Sequence, residues 1–251
     1  MRRSKHSSIA IAFLCGLLSL GILNEPGLAN SRTGNVRQGL PGRRISGGSR
    51  SPSTACLLSQ AEAEQKVVSL TPENNLNRTV SAHPTFWFSL PAIESSRQIE
   101  FALLDQDEEI IYTETLQATG KAGLESISLP QTTPALQPDK TYRWHLSVVC
   151  DPNSRATDLV VWGWIERTLA NSSALQQIEK ATPQERLALY SDLSAWNDLL
   201  TELVVLHRDR TLSNQSTTDL ENQWTTLLAS ENLSQLVDDP STASLTAHPA
   251  Q

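Results

Sequence analysis

Between residues 65 and 169 apolar and polar positions alternate in short runs, and after Leu169 the period changes to threes and fours. The runs KVVSL (66–70), TFWFSL (85–90), IEFALLD (99–105), EIIYTETL (109–116), LESISL (124–129), YRWHLSVVC (142–150) and LVVWGWIERTL (159–169) carry strand character. Pro91, the acidic 105–109 run, Gly120 and Gly123, Pro130 to Pro138, and Asp151-Pro152-Asn153-Ser154 supply turns between them. About seven short strands over this length have the spacing of an antiparallel sandwich.

In the second half, Thr182-Pro183-Gln184-Glu185 combines an N-cap, a proline at the first helical position and a capping-box glutamate. Tyr190, Leu193, Trp196, Leu200 and Leu203 then predict one apolar face through to His207. Thr218 and Glu221 mark a second start ahead of Leu220, Trp224, Leu227 and Leu228, and a shorter helix is expected over 173–180. The predicted class is α+β: an N-terminal immunoglobulin-like antiparallel β-sandwich at 65–169, followed by a small α-helical hairpin segment at 170–238. Tyr190, Ser194, Trp196, Leu199 and Leu203 are spaced like the packing positions of a tetratricopeptide hairpin, and Trp224 follows Tyr190 by one period of that repeat.

Strand parity decides what Tyr142 to Asp151 can do. Tyr142, Trp144, Leu146, Val148 and Cys150 share one side, and Arg143, His145, Ser147, Val149 and Asp151 the other. His145 and Cys150 therefore face apart, which excludes a Cys-His nucleophilic pair within this strand. Trp87 is out of phase with Phe86 and Phe88, while Trp162 and Trp164 share a face with Val160 and Glu166. Parity leaves room for at least one of these indoles outside the core, but core packing is the expected fate of these tryptophans, with a glycan platform as the alternative.

Arg2, Arg3 and Lys5 precede an apolar run from Ile9 to Leu23, a break at Asn24-Glu25-Pro26, and Gly27-Leu28-Ala29. This predicts a signal peptide at 1–29, with an uncleaved anchor as the alternative. The run falls short of the roughly 20 residues of a membrane span, so no integral membrane segment is expected after cleavage. The expected location is periplasmic or secreted. Residues 30–64, rich in Gly, Ser, Pro and Arg, read as an extended or disordered arm, and 239–251 as a flexible tail. The chain has a net charge of -7, and an acidic body does not attract nucleic acid. In an oxidising compartment Cys56 and Cys150 are expected to pair and to tie the arm to the strand, with two free thiols as the alternative.

The segments PGRRISGGSR (41–50), HPTFWFSLP (83–91), YRWHLSVVCDPNSRATD (142–158), GWIERT (163–168) and ATPQERLALYSDLSAWNDLL (181–200) together resemble a cyanobacterial family known only as domain of unknown function nine-two-eight. The resemblance covers about Pro41 to Asp239 and implies an exported cyanobacterial protein. It brings no activity, cofactor or catalytic residue.

Asp105, Asp107, Glu108 and Glu109 lack the glycine and spacing of an EF-hand loop and read as a solvated turn. No phosphate-binding loop, Cys-x-x-Cys or His-Glu-x-x-His occurs. The expected function is that of a non-enzymatic adaptor without cofactor, binding an envelope or periplasmic protein through its helices. Trp196, Leu200, Leu203 and Trp224 would either line the partner groove or form internal core. A carbohydrate or cell-wall binding module, using exposed tryptophans, and a hydrolase using two close carboxylates are the competing readings.

Overall fold

The structure, a computed structural model, describes residues 40–46 and 66–234, all within one compact unit spanning Arg37–Gln251. The predicted signal peptide, most of the arm including Cys56, and the tail lie outside the described residues. Eight strands come first: β1 (Val68–Ser69), β2 (Leu76–Thr79), β3 (Thr85–Leu90), β4 (Gln98–Leu104), β5 (Ile110–Gln117), β6 (Gly123–Ser128), β7 (Lys140–Val148) and β8 (Leu159–Arg167). Four helices follow: α1 (Ser172–Lys180), α2 (Pro183–Asp192), α3 (Trp196–Leu212) and α4 (Thr218–Ser230). Among the described residues, no helix is long and apolar enough to cross a membrane.

The strands form a three-stranded sheet, β1-β3-β6, and a five-stranded sheet, β2-β8-β7-β4-β5. The result is an α+β protein, a β-sandwich with a C-terminal helical segment. One pairing departs from the antiparallel expectation, because β2 runs parallel to β8. Sequence periodicity missed β2, whose inward residues are the buried polar Asn77 and Thr79.

Alternation builds the inter-sheet core as parity requires. Phe86 and Phe88 from β3 meet Phe101 of β4 and Trp144 of β7, with ring centroids 4.9 Å apart for Phe86–Phe101 and 5.6 Å for Phe88–Trp144. Leu146, Val148, Val161 and Ile165 complete this layer, and burying each such side chain contributes about 1.5–3 kcal/mol. Gly163 permits a close approach to this layer. A Cβ there would sit 2.8 Å from the Trp144 ring and 3.3 Å from the Asn75 carbonyl oxygen.

The described end of the arm is extended and paired. Arg43 and Trp162 exchange backbone hydrogen bonds of 2.8 and 3.0 Å, while Ile45 bridges to Val68 of β1. Residues 43–45 thus join both sheets at one side and cover strand edges that would otherwise offer unpaired backbone groups.

The helices do not continue the predicted apolar face unbroken. Thr182 and Glu185 form the expected capping box with Pro183 in the first turn of α2. The chain then breaks before α3 at Ser194, which adopts φ 53°. The next helix starts one residue away from the expected cap. Thr217 is the N-cap of α4, and its hydroxyl donates to Glu221 at 2.6 Å.

Candidate functional site

The helical segment packs on the outward face of the three-stranded sheet. Val68, Trp87 and Leu124 point away from the inter-sheet core and form a second cluster with Trp196, Leu200, Val204, Trp224 and Leu228. Trp87 therefore leaves one core only to enter another. The four residues expected to line a groove or form core are all buried: Trp196 is 9 % exposed, Leu200 1 %, Leu203 3 % and Trp224 4 %. Trp196, Leu200 and Trp224 meet the sheet, whereas Leu203 belongs to a smaller cluster with Leu187 and Leu220 between the helices.

Polar bonds fix the start of α3 on the sandwich. The Trp196 indole N–H donates to the Leu70 carbonyl at 2.9 Å, and the Asn197 amide to the Thr85 carbonyl at 3.0 Å. Asp198 accepts from the Thr79 hydroxyl at 3.0 Å and the Val80 backbone N–H at 2.9 Å. Thr201 accepts from the Trp87 indole at 2.9 Å. Burial pushes the Asp198 carboxyl up to about 6 against the opposing effect of these donors. Arg44 ties the arm to the same joint, donating to the carbonyls of Thr71 at 3.0 Å and Glu231 at 2.9 Å. Sequence reasoning marked neither Asn197 nor Asp198, since their partners lie more than a hundred residues upstream.

A cleft of about 580 Å³ opens between α2, α3 and α4. Leu187, Leu199, Leu203 and Leu227, with Ala188, are its apolar lining, and its polar residues, including Gln184 and Asn222, are uncharged. Of the four proposed groove residues, only Leu203 reaches it.

The outward face of the five-stranded sheet is different in kind. Trp162 and Trp164 do not join the core expected for tryptophan; parity sends both outward, half-buried, on β8. His145, facing away from Cys150 as predicted, stacks on Trp162 with centroids 5.9 Å apart and planes 13° from parallel. Burial, then Arg143, holds its pKa below the usual histidine value, against a smaller opposing effect of Glu108. The Trp164 indole donates to the Pro41 carbonyl at 2.7 Å. Arg143 pairs with Glu108 at 2.9 Å, and Arg78 with Glu166 at 3.6 Å.

The acidic run closes the β4–β5 turn. The Asp105 carboxylate accepts from the backbone N–H groups of Asp107 and Glu109 at 2.9 and 3.0 Å, and Glu108 takes φ 63°. Among the described residues, no group of three His, Cys, Asp or Glu side chains is arranged to hold a metal ion. Cys150 is buried at the end of β7 and disulfide-bonded, while Cys56 lies outside the described residues.

The family model for the Domain of Unknown Function (DUF928) matches residues 45–241, which include both sheets and all four helices. No curated protein and no solved structure matches the chain. By the extent of that match, the chain belongs to the DUF928 family.

Proposed function

We propose that the protein is an exported, non-enzymatic adaptor that binds a segment of another envelope or periplasmic protein in the α2–α3–α4 cleft. The cleft itself carries this reading: an apolar lining of four leucines, bordered by uncharged hydrogen-bonding side chains, held by a helical layer locked to the sandwich. Such a groove suits an amphipathic helix that lays apolar residues at threes and fours onto the leucines. Leu199 and Leu227, the partly exposed leucines of the cleft, do the contacting in this scheme, and the buried Leu187 and Leu203 form its floor. Trp196, Leu200 and Trp224 set the orientation of the helices.

The strand order supports the immunoglobulin-like reading, with β3 and β6 in one sheet opposite β4, β7 and β8 in the other. Tyr142, near the start of β7, accepts a 2.9 Å bond from the backbone N–H of Gln137, much as a tyrosine corner does. The disulfide at Cys150 supports an oxidising compartment, and we assign its partner as Cys56, which would tie the arm to the end of β7.

The test uses a photo-crosslinking residue in place of Gln223, within the cleft, in cells that export the chain. One defined partner crosslinked at this position, and lost when Leu199→Glu is added, is the expected result. Crosslinking that is absent, or unchanged by Leu199→Glu, overturns the adaptor reading.

A further inference from the structure

The five-stranded sheet presents an outward surface that the helices do not touch, and its residues stand in two cross-strand rows. In one row Trp164 is paired with Arg143, and Arg143 with Leu104, whose partner on β5 is Ile110. In the other, Arg43 of the arm is paired with Trp162, and Trp162 with His145. Five strands at about 4.8 Å spacing make a strip roughly 19 Å wide. The strip is apolar at its centre, where the Trp162–His145 stack lies beside Trp164, and at its far edge, where Ile110 is 62 % exposed.

Charge narrows what this strip fits. Of the three arginines beside the indoles, Arg143 and Arg78 are each held by a carboxylate, and the whole chain is acidic at -7. His145, with its pKa held down, adds no positive charge near neutrality. A polyanion would be repelled by the acidic body and would find two of the three guanidinium groups already engaged. A half-exposed aromatic strip, in which Trp162 keeps only the ring face turned away from His145, flanked by polar side chains, matches a ligand with apolar ring faces and hydroxyl edges. Pyranose rings have that character: their C–H faces lie on indoles while their hydroxyls reach polar neighbours.

We infer that the outward face of β8 and β7 is a binding site for an uncharged linear polysaccharide, with sugar rings stacked along Trp162 and Trp164 and their hydroxyls bonded to Arg43 and His145. This site is separate from the helical cleft, on the opposite side of the sandwich. The two together would let one molecule hold a glycan and a protein segment at once.

The full chain is titrated by calorimetry with cellohexaose and chitohexaose, and with hyaluronate as a charged glycan. The expected result is binding of at least one uncharged hexasaccharide, weakened about tenfold by Trp162→Ala, the equivalent of about 1.4 kcal/mol. His145→Ala, a milder change that removes the stacked ring, lowers affinity by a smaller factor. Leu199→Glu, in the helical cleft, leaves sugar binding unchanged, so failure of the adaptor reading and failure of this one are told apart. Three outcomes overturn the proposal: no binding of either hexasaccharide, binding of hyaluronate alone, or hexasaccharide binding that both face variants leave intact. Sedimentation adds a fourth, a dimer of the chain dissolved by Trp162→Ala, which would make the face a contact between copies.

Discussion

The two outer faces of the sandwich are built by the same alternation and meet different fates. On the three-stranded sheet, Trp87, Val68 and Leu124 point outward and are sealed beneath α3 and α4. On the five-stranded sheet, Trp162 and Trp164 point outward and stay half-buried, in contact with His145 and the arm rather than a helix. Parity within a strand tells which side chains leave the inter-sheet core. It does not tell what covers them, because cover comes from elements far away in sequence.

Removing the helices should break the comparison most severely. A chain ending at Leu169 would expose Trp87, Val68, Leu70 and Leu124 together, a contiguous apolar patch of the kind that drives aggregation. We expect loss of soluble monomer on size exclusion and strong binding of a hydrophobic dye. Cooperative unfolding at the full-length midpoint would show that the sandwich stands alone and that the helices are an accessory. Partner capture with such a truncation would therefore report misfolding before it reported binding.

Gly163→Ala tests how tightly the open face is held to the core behind it. Between two outward tryptophans, the glycine points inward onto Trp144, which is fully buried. The added methyl would force that ring or the Asn75 backbone to move, and overpacking of this sort costs about 3 kcal/mol at its upper end. Denaturant titration should show a lowered midpoint with an unchanged slope. A midpoint equal to the parent's would mean that Trp144 has room to shift.

Asp198→Asn probes the covered face through pH. A carboxyl whose folded pKa is raised stabilises the fold most below its unfolded value, near 3.8, and that contribution is lost as pH rises through about 6. From pH 4 to 7 the joint between α3 and β2 should therefore weaken, by on the order of 2 kcal/mol for this group. The surrounding charges belong to the same picture, since Asp198, Glu202 and Arg186 all act on Tyr190, whose pKa burial lifts to about 12. Replacing Asp198 by Asn should flatten the stability profile over that window. A slope that persists would assign the pH dependence to other carboxylates.

These residues also mark the limit of what the chain discloses by itself. Seven of the strands follow from alternation and turn residues, and the start of α2 follows from its Thr-Pro-Gln-Glu cap. The strand β2 escapes, because Asn77 and Thr79 face inward and carry no hydrophobic signal. Its parallel pairing with β8 brings together residues nearly ninety positions apart. The apolar period through Tyr190 and Trp196 reads as one face, yet Ser194 turns the chain and sends Trp196 to the sheet. In the candidate sites, the shared face of Trp162 and Trp164 is legible but not its outward direction, whereas Asp198 and Asn197 give no signal. A polar side chain buried by tertiary contact looks, in sequence, like any exposed one.

The smallest effect concerns His145. Its pKa is lowered first by burial and second by Arg143, with Glu108 acting weakly in the opposite sense. Arg143→Gln should therefore raise the value only part of the way, leaving it below that of an ordinary histidine, and Glu108→Gln should lower it further. Both shifts can be followed by the ring-proton resonances in an NMR titration, with little change in global stability. A full return to the ordinary value in Arg143→Gln would make the neighbouring charge the dominant cause.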